Sequence, residues 1–132
     1  MTTSALARNA YHQSARSTAS PRAVERQLLS KLTTAVVVAQ KNRSEDPAAF
    51  VRALGKNLEF WTVIATDVAS ESNQLPNELR SQLFYLFEFT RHHTQKLMAD
   101  DAHALDAEPL IDINQNIIRG LQGALAEDSA VS

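Results

Sequence analysis

Any metal chemistry in this 132-residue chain would fall to its four histidines and fifteen carboxylates, because cysteine is absent. That absence also excludes a disulfide scaffold, thiol catalysis and thiolate zinc sites. A helical di-iron carboxylate centre requires inward Glu residues on separate helices and two Glu-x-x-His pairs. Here Glu88 is followed by Arg91 at the third position and His92 at the fourth, with no second such pair. His92 and His93 are neighbours, so on a helix they point about 100° apart and do not face one metal together. Asp100, Asp101 and His103 offer at most a weak cation loop, better read as solvated. Nucleophilic chemistry has no setting either: there is no Gly-x-Ser-x-Gly elbow and no Gly-rich phosphate loop. A catalytic site needs a nucleophile, a base and an orienting group together. The chain is therefore expected not to be an enzyme, with no catalytic residues, no metal and no cofactor.

The elements that would position any site are helices. Three of the four prolines sit where a helix would begin, at Ser20-Pro21, Asp46-Pro47 and Leu75-Pro76, the first two behind a good N-cap side chain, and Glu108-Pro109 with Asp106 upstream marks a fourth. Apolar residues recur at steps of three and four in four stripes. The first holds Val24, Leu28, Leu32, Ala35 and Ala39, and the second Phe50, Leu54, Leu58, Trp61, Ala65 and Val68. Leu79, Leu83, Leu86, Thr90 and Leu97 make the third, and Leu110, Ile113, Ile117, Leu121 and Leu125 the fourth. Short polar connections at 42–46, 70–75 and 100–106 favour adjacent helices in a small all-α, up-and-down bundle. The predicted organisation is an N-terminal arm at 1–19, a bundle domain at 20–126 and a disordered tail at 127–132. Leu6, Ala7, Ala10 and Tyr11 give the arm one weak apolar face, too small to hold itself down without a docking surface.

Charge is divided along the chain. Residues 1–56 carry nine Lys/Arg against three Asp/Glu, and residues 57–132 carry four against twelve, within an overall charge of -2. The halves should attract each other or different partners. No apolar run approaches the roughly 20 residues that cross a bilayer, and no apolar signal core follows the N-terminus. A cytoplasmic protein without membrane insertion is the expectation.

Two features inside the stripes bear on binding. Asn57 and Asn114 fall in the middle of apolar faces, where an unpaired amide costs roughly 1–3 kcal/mol. Either each bonds a neighbouring helix and fixes register, which is the commoner outcome for buried amides, or it faces a groove and accepts a partner's backbone. Seven of the eight aromatics lie between residues 50 and 89, and Phe84, Tyr85, Phe87 and Phe89 crowd onto one helix. Their directions cover well over half of that helix, so it is either the centre of the bundle or half exposed as a patch for a partner helix.

In order and spacing, the residues that punctuate the chain resemble the FlaF family of bacterial flagellar biosynthesis regulators. The resemblance begins with Asn9-Ala10-Tyr11 and Ser20-Pro21-Arg22 followed by Glu25, and continues through Asn57, Trp61, Asp67-Val68-Ala69 and Asn73-Gln74-Leu75-Pro76. It is densest over Leu79-Arg80, Glu88-Phe89-Thr90-Arg91, His93 and Lys96, and closes with Leu110-Ile111-Asp112-Ile113-Asn114 and Ile118-Arg119-Gly120-Leu121. One departure is the loop after the third helix, where members often carry Gly and this chain has Asp100-Asp101. The resemblance implies a small helical, non-enzymatic protein that binds flagellin in the cytoplasm, promotes its synthesis and export, and acts opposite the translational repressor FlbT.

The candidate partner-binding residues are Tyr11, Arg22, Trp61, Phe84, Tyr85, Phe89 and His93. The aromatic choice rests on helical geometry, since the resemblance does not locate the groove. The alternative function is direct post-transcriptional action on flagellin mRNA through the basic first half, with Arg8, Arg16, Arg22, Arg26, Lys31, Lys41, Arg43, Arg52 and Lys56. Against it, these residues spread over several helix faces, few aromatics interleave with them, and the acidic half repels phosphate.

Overall fold

A computed structural model describes the backbone of residues 21–131 and the side chains of residues 25–120. The arm at 1–19, with Tyr11, and the Arg22 side chain lie outside the described residues. The chain forms four helices: α1 (Pro21–Lys41), α2 (Pro47–Ala69), α3 (Asn77–Met98) and α4 (Glu108–Val131). Asp46 opens α2 as its chemistry requires, its carboxylate accepting from the Ala49 amide at 3.1 Å with Pro47 in the first turn. Asp106 accepts from the Glu108 amide at 3.0 Å where α4 begins. At α3, Pro76 occupies the capping position itself and offers no side-chain cap. α4 runs on to Val131, beyond the bundle boundary expected at 126. Ala124, Leu125, Ala126 and Glu127 are strong helix formers with no Pro to stop them.

Short connections make consecutive helices antiparallel, but the packing is not a closed square. α1 packs against both α2 and α4, α2 packs against α3, and α3 scarcely touches α4. The order around the bundle is therefore α4, α1, α2, α3, with an open seam between the last and the first. One end of this arrangement is well filled. Val36, Ala39, Phe50, Ala53, Leu54, Leu97, Ala107, Leu110 and Ile111 form a continuous core beside the connections 42–46 and 99–107. Arg43 ties those two connections together: Nη1 donates to the Leu105 carbonyl at 2.7 Å, Nη2 reaches the Leu97 and Asp100 carbonyls, and the guanidinium lies 4.5 Å from the Phe50 ring centroid. The Ala107 amide donates to the Gln40 side chain, which fixes the start of α4 against the end of α1.

Midway along the bundle the interior turns polar, and every helix contributes. Asn114 of α4 accepts from the Trp61 indole N–H at 3.0 Å and donates to Asn57 Oδ1 at 2.7 Å and Thr33 Oγ1 at 3.1 Å. Thr33 in turn donates to the Leu29 carbonyl. α3 supplies buried Thr90 and Thr94. This layer rotates α1 away from its expected phase. The predicted stripe places Leu28 and Ala35 inside, whereas Leu28 is 44% exposed, Ala35 is exposed, and Leu29, Thr33 and Val36 are buried. Adjacent leucines at 28 and 29 support either phase; the hydrogen bond from Asn114 to Thr33 selects the second.

The connection from α3 to α4 turns without a glycine, since residues 99–107 contain none. The backbone enters the left-handed region at His103, with φ of 53°, not at Asp100 or Asp101. The Asp100 carboxylate accepts from the amides of Ala104 at 3.1 Å and Leu105 at 2.7 Å and faces Arg43 at 3.5 Å, so the aspartate organises the turn from its side chain. A residue with a Cβ is disfavoured at positive φ by roughly 1–2 kcal/mol. His103→Gly, at an exposed site, is expected to raise stability by about 0.5–1 kcal/mol, readable as a higher urea midpoint with an unchanged slope.

Candidate partner-binding surface

α3 is half buried only in name. All its buried residues, Thr90, Thr94 and Leu97, lie in its second half, while its first half carries exposed Leu79, Phe84 at 39% and Tyr85 at 67%, and Phe89 just past the midpoint is exposed as well. Of the two sequence-level alternatives for this helix, the structure places the exposed one at its N-terminal half and the buried one at its C-terminal half. The cause is the open seam: α2 covers one flank of α3 and no helix fully covers the other.

The exposed aromatics divide between those flanks. Phe84 and Phe87 meet edge to face at 5.6 Å and, with Thr62, Ala65, Thr66, Ala69 and Ser70 of α2 and its exit, line a shallow apolar trough. The trough continues past Ala69 and Phe84 to Asn77, Arg80 and Ser81. Small residues on α2 create it, because Ala65, Thr66 and Ala69 leave depth that longer side chains would fill. Arg80 fixes its end wall: Nε donates to the Val68 carbonyl at 2.8 Å and Nη2 to the Ser70 carbonyl at 3.1 Å, satisfying acceptors that the end of α2 leaves open. Phe89 lies about 140° around the helix from Phe84, on the seam side. It stacks on His93 at 5.8 Å, and His93 Nε2 hydrogen-bonds the Asp106 carbonyl at 2.9 Å.

Tyr11 and Arg22 lie outside the described side chains, and the other five candidates do not form one surface. Trp61 is a core residue, 1% exposed, with its indole N–H spent on Asn114; it stands behind the trough and is not available to a partner. His93 is held against the start of α4 and acts with Phe89 on the opposite flank from Phe84. Asn57 and Asn114 are both buried and bonded to each other. Sequence reasoning named Ala65 in a core stripe and Ala69 and Arg80 in the family resemblance, but placed none of them, nor Thr66, among the binding residues; these four shape the trough. The run of small residues between the larger Trp61, Ile64 and Val68 was the available signal. Of the basic residues in the first half, Arg43 is engaged with Asp100 and three carbonyls, which removes it from any phosphate-binding face.

Among the described residues, no group of three His, Asp or Glu is placed to hold a metal ion, and no helix is long and apolar enough to cross a membrane. The Asp100 carboxyl is nevertheless perturbed. The Leu105 amide, opposed by burial and reinforced by the Ala104 amide and Arg43, holds it below the usual carboxylate range. A depressed carboxyl contributes stability that is complete above its unfolded value near 3.9 and is lost as pH falls through the folded value. Asp100→Asn is therefore expected to lower stability at neutral pH and to flatten the fall of stability below about pH 4. Urea midpoints of the two proteins at pH 7 and pH 3 test this, since the gap between them should narrow in acid.

What these features define is an all-α bundle with one exposed, aromatic helix face and a trough beside it. The chain belongs to the FlaF family: the family model, described as flagellar protein FlaF, matches residues 7–121. No curated protein and no solved structure matches it.

Proposed function

We propose that this protein is a non-enzymatic, cytoplasmic flagellin-binding chaperone that promotes flagellin synthesis and export, with an amphipathic flagellin segment docking along the exposed first half of α3. The observation that carries this reading is the apolar surface of Leu79, Phe84 and Tyr85, left uncovered in a chain of a flagellar family. Flagellin's terminal segments are amphipathic and have no partner before assembly, so a cover for their apolar faces prevents aggregation. A trough with small residues on one wall and aromatics on the other accepts a helix that presents side chains at steps of three and four. Its shallowness suits a partner that must be released again.

Co-purification of the full chain with full-length flagellin, and with flagellin lacking its terminal segments, tests this. Retention of the first and loss of the second is the expected result. FlbT offered side by side distinguishes regulation through that repressor from binding to flagellin alone. Absence of flagellin binding at micromolar protein, with a salt-dependent shift of flagellin mRNA in its place, would overturn the reading in favour of direct action on the message.

A further inference from the structure

The trough is apolar along its floor and anionic along its rim. Residues 57–90 build both of its walls, and they hold five carboxylates, Glu59, Asp67, Glu71, Glu78 and Glu88, against one cation, Arg80. Arg80 does not turn its charge toward a partner, since its Nε and Nη2 donate to the Val68 and Ser70 carbonyls. The next cation along α3, Arg91, is engaged with Glu88 at 2.9 Å, and Asp67 accepts from the Asn73 side chain at 3.3 Å. Glu59, Glu71 and Glu78 are all exposed.

Helical spacing places these three around the trough. Glu59 precedes Thr62 by three residues and Thr66 by seven, so it extends the α2 wall by one turn. Glu71 follows Ser70 at the end of that wall, and Glu78 follows Asn77 at the start of the α3 wall. From Glu59 to Ala69 the α2 wall rises about 15 Å, or roughly three turns. Before Glu59 the sign reverses at exposed Arg52 and Lys56, so the anionic stretch has a defined length.

An anionic rim around an apolar floor narrows what can lie there. A helix in the trough buries its apolar stripe, and the residues beside that stripe reach the rim. Lys and Arg suit those positions, because their stems cover apolar surface while their charged heads extend to the carboxylates. Asp or Glu there meets like charge at both ends of the trough, which suppresses the wrong partner.

We propose that the trough between α2 and α3 selects an amphipathic helical segment of about three turns whose apolar stripe is flanked by Lys or Arg, and rejects a segment of the same stripe with acidic flanks. This rests on the docking site proposed above and adds to it the charge that its occupant must carry. Each exposed ion pair contributes little alone, so the selection is collective and sensitive to salt.

Two synthetic peptides test it, sharing one stripe of Leu and Ala at steps of three and four, one with Lys and the other with Glu on both flanks. Each is titrated into the full chain and followed by amide chemical shifts. At about 20 mM salt the Lys-flanked peptide is expected to bind about tenfold more tightly, and at about 0.5 M salt the ratio should fall below about threefold. Its shifts should centre on residues 62–70 and 77–87. Glu59→Gln, Glu71→Gln and Glu78→Gln together, at three exposed sites, should remove most of the preference while leaving the amide shifts of the core in place. Equal affinity for the two peptides at low salt, binding of neither at millimolar peptide, or shifts centred on α1 and α4 would overturn the proposal. Full-length flagellin offered to the wild-type chain and to the triple Gln variant separates this inference from the function it deepens. Selective capture of the Lys-flanked peptide without flagellin binding supports the charge selection and sinks flagellin as the occupant. Flagellin binding of equal strength to both proteins sinks the charge selection and leaves flagellin standing.

Discussion

Replacing Asn114 with alanine is expected to cost about 3 kcal/mol, the largest stability loss from any single polar side chain among the described residues. Asn114 is 1% exposed and bonds partners on two other helices in the polar layer, through Trp61, Asn57 and Thr33. Its removal leaves the Trp61 indole N–H and the Asn57 carbonyl oxygen buried without partners, each worth roughly 1–3 kcal/mol when unsatisfied. It also opens a small cavity whose cost adds to theirs. Partial relaxation keeps the sum below the simple total, because neighbouring residues in one network do not add. For a chain of this length such a loss lowers Tm by about 10 °C. Asn114→Leu distinguishes the hydrogen bonds from the volume: it restores bulk but not the acceptor, and should recover less than half of the loss. A thermal melt of Trp61→Phe alongside, with a loss of about 1–2 kcal/mol, isolates the indole bond.

The second large effect concerns binding and not stability. Phe84→Asp is expected to weaken association with a flagellin terminal segment about 100-fold, equivalent to about 2.7 kcal/mol. Phe84 stands where the two parts of the trough meet, touching both the α2 wall and the stretch from Asn77 to Ser81. A residue central to an apolar contact carries a disproportionate share of its energy, and a carboxylate there must be desolvated against apolar walls. The side chain is 39% exposed in the free protein, so the cost to folding is expected to stay within about 1 kcal/mol. Phe89→Asp, on the other flank, separates two arrangements. An effect well below that of Phe84→Asp places the partner in the trough; an equal effect means that the partner spans both flanks of α3. Titration calorimetry with the full chain reads both.

Much of the fold is legible in the sequence because the punctuation is strong. Asp46-Pro47 specifies a helix start through a cap and a fixed φ, and the structure makes that bond at the expected place. The stripe of α2 is nearly as clear: Phe50, Leu54, Trp61, Ala65 and Val68 are buried as expected, and only Leu58 is half-buried where its neighbour Asn57 takes the interior position. α1 is different: Leu28 and Leu29 support two phases equally, and the choice depends on Thr33 meeting Asn114, 81 residues away. No local pattern contains that information. The same holds for Arg43, which reads as one of nine dispersed cations until the third connection, with Asp100 and the Leu105 carbonyl, is folded against it.

The candidate surface was legible by composition and not by geometry. A helix bearing Phe84, Tyr85, Phe87 and Phe89 is visibly too apolar for one buried stripe, yet how its surplus divides depends on which neighbour it has. α2 covers one side, α4 stays away from the other, and the aromatics consequently serve two flanks. Trp61 illustrates the opposite error, since its size and its nearness in sequence to other aromatics suggest a binding residue, while its indole N–H fits a buried acceptor four helices' packing had placed behind the trough. A large aromatic with a polar handle is as useful for closing a core as for capturing a partner.

The central claim is that the first half of α3 and the facing wall of α2 receive flagellin. Amide hydrogen exchange on the full chain, with and without saturating full-length flagellin, tests it most directly. The account predicts slowed exchange confined to residues 62–70 and 77–89, with α1 and the first turns of α4 unchanged. Protection that falls instead on α1 and α4, or flagellin binding that leaves residues 62–70 and 77–89 exchanging as before, would contradict it.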